Sequence, residues 1–282
     1  MSSSPSMTER AAQHMVRPPP PVAGPALEAV PALARCENCP HRAERFAVGR
    51  CTPQNACIQV RNGRLNDAFL SRNPECAEDC LHDLFWERRA IAVRYAPLES
   101  VSSLINDPDE VVRRAVASRL PVAELPALIG DPDREVRVTL ASRLPAEHLS
   151  ALIEDSDYLV RLLVAQRLPL GELRRLAHDS DSEVRKAVAR RLPAFALRLL
   201  RDDPEPQVRT IVASRGLLET RVGLLNDPDW LVRLRAAVRV PLEYLAPLAD
   251  DPEEDIRNLV ARRLAGDPLD NDLDEDDPCS SS

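Results

Sequence analysis

Beyond residue 97 the apolar positions of this chain follow a pattern that repeats every 24 residues. The unit that starts at Asp107 reads D-P-D-E-V-V-R-R-A-V-A-S-R-L-P. Val112, Val116 and Leu120 stand at i, i+4 and i+8, a single stripe along a helix. Asp107 predicts the cap of that helix, Pro108 its first residue, and Asp109 with Glu110 its acidic first turn. Pro121 forbids continuation. The segment from Val122 to Ile129 is too short for a second full helix. It holds Leu125 and Leu128, which recur as Leu149 and Leu152, Leu173 and Leu176, Leu197 and Leu200, and Leu245 and Leu248. That spacing, with proline inside (Pro126, Pro247), predicts a short 3₁₀-like turn. No unit alternates with the period of two that a strand requires. The pattern therefore predicts an all-α solenoid of two helical layers, one α and one tighter, in which each unit buries its apolar face on its neighbours.

Polar positions keep the same step. One column runs Arg113, Arg137, Arg161, Arg185, Arg209, Arg233 and Arg257, and a second runs Arg119, Arg143, Arg167, Arg191, Arg215, Arg239 and Arg263. Small residues recur from Ala117 to Ala261, where they would let the next helix approach closely. Asp107, Asp131, Asp155, Asp179, Asp203, Asp227 and Asp251 match the arginines step for step. The columns can be read as a basic groove for an anionic partner or as a ladder. In the ladder each Arg answers an Asp or a helix-end carbonyl, and the matched Asp column favours it. The sixth unit departs from the pattern: Gly216 and Leu217 replace Leu-Pro, Arg221 replaces a core Leu, and a local irregularity is expected there. Upstream, Leu81 to Pro97 keeps Arg89 and Pro97 in register and carries Phe85 and Trp86. Most of its other positions differ from the repeat, and it reads as a degenerate first unit, as the capping end of a solenoid should.

Composition alters this picture at the ends. Apolar content is ordinary but nearly all Leu, Val and Ala, which suits thin regular layers. The net charge of −8 misleads. Residues 266–282 carry seven acidic side chains and no basic one, which leaves 38 acidic against 37 basic elsewhere. Bulk charge gives no argument for nucleic acid as a partner. All basic residues but Lys186 are Arg, which suits a repeated bidentate contact; a genome biased to Arg codons would do the same. Residues 1–34, rich in Pro, Ser and Ala, read as a disordered tail, as do 266–282. Residues 35–97 form a cysteine domain with its junction, and 98–265 the repeats. No apolar run reaches the roughly 18 residues of a membrane helix. No secretion signal opens the chain, so a cytoplasmic location is expected.

Six of the seven cysteines fall between Cys36 and Cys80, spaced C-x2-C-x11-C-x5-C-x18-C-x3-C. Cysteines clustered in a reducing compartment point to metal rather than disulfides. Cys36, Cys39, Cys51 and Cys57 suit either tetrahedral zinc or an iron–sulfur cluster. The second pair departs from the C-x2-C knuckle of a zinc ribbon, which leans towards the cluster. Asn73-Pro74-Glu75 reads as a helix start that puts Cys76 and Cys80 one turn apart. There they pack as small hydrophobes, or else ligate metal in addition to or in place of two of the first four. His41 and His82 read as exposed or core histidines, and Cys279 as a bystander in the acidic tail.

The D-P-D-x-x-V-R-x-x-x-A-x-R-L-P repeat with its L-x-x-L tail resembles the leucine-rich repeat variant proteins known from nitrogen-fixing bacteria. So do the cysteine cluster and the F-W-E-R-R-A-I-A-V-R-Y-A-P junction. The resemblance covers about residues 36 to 265. It implies a small domain carrying a [4Fe-4S] cluster, with Cys36, Cys39, Cys51 and Cys57 as ligands. It also implies a right-handed superhelix of alternating α- and 3₁₀-helices behind that domain. The expected function is that of an iron–sulfur repeat protein, not an enzyme, which holds a protein partner and is linked to nitrogen fixation. A structural zinc scaffold and a nucleic-acid-binding repeat protein are the alternatives. No phosphate-cradling glycine loop or nucleophile–base arrangement argues for catalysis.

Overall fold

The computed structural model describes residues 36–267. The Pro-rich segment 1–34 and the acidic segment beyond 267, with Cys279, lie outside the described residues. Nine α-helices of ten residues or more carry the architecture: α1 (Gly63–Arg72), α2 (Trp86–Tyr95), α3 (Glu110–Arg119), α4 (Arg134–Arg143), α5 (Tyr158–Arg167), α6 (Ser182–Arg191), α7 (Pro206–Arg215), α8 (Trp230–Arg239) and α9 (Glu254–Ala265). From α2 onward their first residues are 24 apart. Most are followed by a tighter piece, such as the 3₁₀ runs Val122–Leu128, Ala146–Leu152 and Ala194–Leu200. Successive α-helices pack on one another in chain order. The fold is the all-α superhelical solenoid of alternating α- and 3₁₀-helices that the periodicity predicts. Among the described residues the sole β feature is an isolated bridge between Thr52 and Ala56.

The apolar stripe lies inside. Val112, Val116 and Leu120 are wholly buried, as are their counterparts Val136, Leu140 and Leu144. The two Leu columns of the tighter layer face the same interior. Each buried Leu contributes about 1.5–3 kcal/mol relative to exposure. Ala117 through Ala237 are fully buried at the helix–helix contact. Ala261 is exposed because no further described unit covers it.

The helix start differs from expectation. The cap of α3 is Asp109, whose carboxylate accepts the N–H groups of Val111 and Val112. Asp107 and Pro108 lie outside the helix. The Asp107 carboxylate is already taken: it accepts the Asp109 N–H at 2.9 Å and both arms of Arg89 at 2.8 Å. Asp-Pro-Asp is therefore a turn whose first Asp serves the ladder and whose second caps the helix. At the other end Leu120 is forced into extended backbone by Pro121, and the helix stops. At Ala265, which stands in that proline's place, α9 runs two residues longer and ends on the left-handed Gly266. By contrast, α7 stops at Arg215 with Gly216 in extended backbone, although Leu217 stands in the proline's place.

The Arg and Asp columns form the ladder. Arg161 donates through Nε and Nη2 to the two Asp179 oxygens at 2.7 and 2.9 Å, and through Nη1 to the Asp155 carbonyl at 2.7 Å. The same forked contact joins Arg89 to Asp107, Arg113 to Asp131, Arg137 to Asp155, Arg185 to Asp203, Arg209 to Asp227 and Arg233 to Asp251. Each Arg thus binds a carbonyl of its own unit and a carboxylate of the next. Its side chain is 10–12% exposed and its partner's 3–5%. The second column reaches backwards to the last carbonyls of the preceding helix: Arg143 to Ala117 and Leu120, Arg167 to Ala141 and Leu144, Arg263 to Ala237 and Val240. A cation at a helix C-terminus is favourable for the dipole and for the orphan carbonyls. The sixth unit is irregular as expected. A six-residue α-helix, Leu218–Gly223, replaces the 3₁₀ run, and Arg221 donates to the carbonyls of Ala213 and Ser214 at the end of α7.

The ladder has a pH signature. The Arg233 guanidinium holds the Asp251 carboxyl below the usual carboxylate range. For Asp179 and Asp227, burial alone would push the carboxyl up, but the paired arginines and a backbone N–H outweigh it and hold the carboxyl down. A carboxyl whose folded pKa lies below its unfolded value contributes stability above the unfolded pKa. That contribution is lost as pH falls through the folded value. Helical circular dichroism is therefore expected to hold above about pH 4 and to fall below it, and a midpoint at or above about pH 5 would show that other groups govern acid unfolding.

The cysteine domain packs through α1 onto α2. Phe69 and Leu70 of α1 are wholly buried with Ala56, Ala77 and Leu81. Gly63 opens α1 where the Glu87 carboxylate from α2 approaches: its N–H donates to Glu87 Oε2 at 3.1 Å, and a Cβ there would meet Glu87 Oε1 at 2.1 Å. The degenerate first unit lacks a capping Asp, since Phe85 stands at that position. Asp83, 24 residues before Asp107, accepts the Phe85 N–H as the ladder aspartates accept theirs, and also the Arg88 guanidinium.

Candidate metal centre

Four cysteines are delivered by a turn and a minimal hairpin. Cys36 and Cys39 span one turn, closed by the Cys39 N–H on the Cys36 carbonyl, and Arg42 N–H bonds the Cys39 carbonyl at 3.1 Å. A wide helical turn, Arg42–Phe46, follows. Gly49 then takes φ of 73° and reverses the chain, a left-handed conformation at no steric cost to glycine. The Arg45 carbonyl receives the N–H groups of both Arg50 and Cys51 at 2.9 and 3.2 Å. Thr52 and Ala56 then exchange N–H···O bonds of 2.9 and 2.7 Å. The residues flanking that bridged pair are Cys51 and Cys57, so the five intervening residues set the two side by side. The C-x5-C spacing is thus a bridge-closed hairpin, where a C-x2-C knuckle would be a bare turn.

Two buried asparagines anchor these loops to α1. Asn66 is fully buried and donates to the carbonyls of Cys57 (2.8 Å) and Val60 (3.0 Å). Asn73, also fully buried, donates to the carbonyls of Arg50 (3.0 Å) and Phe69 (2.8 Å) and accepts from Arg45 (3.2 Å). Sequence reasoning missed both roles. The available signal was their i, i+7 placement on the helix face that holds Phe69 and Leu70, where a polar side chain must find partners or cost free energy.

The four thiols share one electrostatic neighbourhood. Burial pushes the Cys51 thiol up to about 11, and repulsion from Cys57, Cys39 and Cys36 adds to it. Cys57 is raised first by burial, against the N–H groups of Gln59 and Val60 that bond its sulfur, with Cys36 and Cys39 adding repulsion. Cys51 and Cys57 are buried, and Cys36 and Cys39 half-buried. Among the described residues, no three Cys, His, Asp or Glu side chains converge closely enough to hold a single metal ion.

Cys76 and Cys80 stand apart. They lie on two consecutive 3₁₀ turns, Pro74–Cys76 and Glu78–Cys80, and not on the α-helix that Asn73-Pro74-Glu75 predicts. The reason is that the Asn73 amide turns inward to the hairpin and caps nothing. Both thiols are buried, 5% and 8% exposed, in the apolar core. Burial raises Cys76, with Arg45 as its main opponent, and raises Cys80 to about 11, with Arg88 opposing. His41 lies half-buried with its ring 5.2 Å from that of Phe69, and His82 is exposed.

Residues 32–79 match the family model described as "LRV protein FeS4 cluster". Residues 111–133, 134–157, 158–181 and 183–205 match the one described as "Leucine rich repeat variant". Among solved structures, the chain is similar to one titled "A leucine-rich repeat variant with a novel repetitive protein structural motif". The two are 52% identical over 81% of this chain and 97% of that chain, with a TM-score of 0.75. An engineered protein at 18% identity covers 85% of this chain and 76% of that one with a TM-score of 0.27, too low to bear on the fold. No curated protein matches the chain.

Proposed function

This chain belongs to the leucine-rich repeat variant proteins, and on that premise we propose that it is a non-enzymatic iron–sulfur protein whose solenoid holds a protein partner. A [4Fe-4S] cluster would be bound by Cys36, Cys39, Cys51 and Cys57. The observation that carries this reading is the common neighbourhood of those four thiols in the segment that matches the cluster family. One turn carries Cys36 and Cys39, and the bridged hairpin sets Cys51 beside Cys57, all within residues 32–79. Four thiolates are the donor set that a cluster takes. When bound, such a group supplies one-electron chemistry and a covalent tie across the small domain.

The protein's own part is to make four sulfurs available and to keep water from two of them. Cys51, protonated at neutral pH when free, gives up its proton to become a ligand. The N–H groups of Gln59 and Val60 offset negative charge on the Cys57 sulfur. Asn66 and Asn73 hold the hairpin in register. The 45 residues from Cys36 to Cys80 make a small core, so a structural contribution from the metal is physically reasonable. Free thiols fit a reducing, cytoplasmic setting, and no described helix is long and apolar enough to cross a membrane. The family's presence in nitrogen-fixing bacteria makes a redox or cluster-maturation protein the first class of partner to test. Both Arg columns are engaged internally, which disfavours nucleic acid.

The test is anaerobic purification followed by absorption spectroscopy and iron, sulfide and zinc analysis on one sample. A broad band at about 400 nm with about four irons and four sulfides per chain is expected. Stoichiometric zinc without a visible band would replace the cluster with a structural clip.

A further inference from the structure

Three guanidiniums meet at the seam between the cysteine domain and the repeats. Arg64 on α1, Arg94 on α2 and Arg114 on α3 line an open cleft of about 530 Å³ together with Trp86, Ile91 and Val111. That volume lies within the roughly 300–1,000 Å³ of ligand-binding clefts. Two carboxylates also line it, and both are engaged. Asp67 accepts from Arg94 and from the Tyr95 hydroxyl, each at 2.9 Å, and Glu87 accepts the Gly63 N–H. Arg64 and Arg114 are exposed, and their guanidiniums make no hydrogen bond or ion pair among the described residues. In this they differ from the ladder arginines, whose guanidiniums are bound within the fold. Trp86 is 40% exposed at the same place.

We propose that this cleft binds an acidic peptide segment of a partner protein. Its carboxylates would pair with Arg64 and Arg114, and an apolar side chain would lie against Trp86, Ile91 and Val111. The proposal rests on the reading of the chain as an interaction protein and gives that interaction a place. Charge complementarity carries it: free guanidiniums match carboxylates bidentately, and Arg and Trp are the residue types that anchor interfaces. A nucleic acid fits less well. It requires a basic track along its backbone, whereas the basic groups here are three, and Asp67 and Glu87 sit among them.

Trp230→Phe leaves Trp86 as the sole tryptophan of a chain that has two. In that background the full-length protein is titrated with a synthetic Glu/Asp/Leu peptide while Trp86 emission is followed. A saturable change is expected, weakened about tenfold or more in Arg64→Glu/Arg114→Glu and by added salt, with circular dichroism confirming that the variant is folded. No change, equal binding by the double variant, or tighter binding of a single-stranded oligonucleotide through the same arginines would overturn the proposal. Photoreactive residues placed at Tyr158 and Phe195 separate it from the broader reading. If the peptide fails while those positions trap a partner polypeptide, the cleft proposal falls and the interaction reading stands. If both fail, both readings fall.

Discussion

Alanine at Cys36, Cys39, Cys51 or Cys57 is expected to leave the protein colourless, with iron near zero in each single variant. Cys76→Ala and Cys80→Ala should keep full iron. The two outcomes follow from where the thiols sit. The first four lie in one electrostatic neighbourhood, built by a turn and a bridge-closed hairpin, and loss of one leaves three donors for a cluster that takes four. Cys76 and Cys80 are packed under Leu81 and Ala77 on separate 3₁₀ turns. Their truncation removes only a buried sulfur, at a cost of about 1 kcal/mol with a small melting shift. The iron-to-protein ratio and a thermal melt on the six variants check both halves. A bleached Cys76→Ala protein beside a coloured Cys36→Ala protein would show that the ligand set is misassigned.

Arg161→Ala is the second variant with a large expected effect, about 3–5 kcal/mol of lost stability in urea denaturation. It strands the Asp179 carboxylate, 4% exposed, with one N–H partner where it had three donors. The control is Arg134→Ala, which removes contacts of an exposed guanidinium with Glu135 and, at 3.4 Å, with Asp157, and is expected to cost no more than about 1 kcal/mol. Asp179→Asn separates charge from hydrogen bonding, because the amide oxygen still accepts the Asp181 N–H while the forked ion pair is gone. A loss below about 1 kcal/mol for Arg161→Ala would mean that desolvation cancels the ladder and that the Leu and Val columns alone hold the units together.

The solenoid was legible because its signal was repeated. Val112, Val116, Leu125 and Leu128 each state a local preference, and restatement of each at a step of 24 in four or more further units removes the ambiguity that a single short apolar run would leave. The ladder was legible for the same reason, since matched columns imply matched partners. The helix start was not, because Asp107 and Asp109 are equally good caps by type. Only the tertiary claim of Arg89 on the Asp107 carboxylate assigns the cap to the second. The cysteine domain has no repeats to average over. Its spacing marked four thiols as candidate donors, but the hairpin needs the Thr52–Ala56 backbone exchange, which no side chain announces. Asn73 misled for a physical reason: a residue suited to capping was recruited by Arg50, Phe69 and Arg45 into the loop core.

The units from Arg89 to Arg233 each extend one hand forward, from Arg to the next Asp, and the second Arg column extends one backward to the preceding helix end. All joints are chemically alike, so none of them encodes its place in the row. Excising a block of 24 residues, say from Asp131 to Glu154, would bring Arg113 to Asp155 in place of Asp131, and duplicating it would bring Arg137 to the copied Asp131; either leaves the hands clasped. Length is therefore an evolvable variable in this protein, open to change by whole-unit recombination without re-solving the core. The exception is the joint at Arg221, whose improvised clasp on the end of α7 suits that neighbour alone and gives the row a landmark.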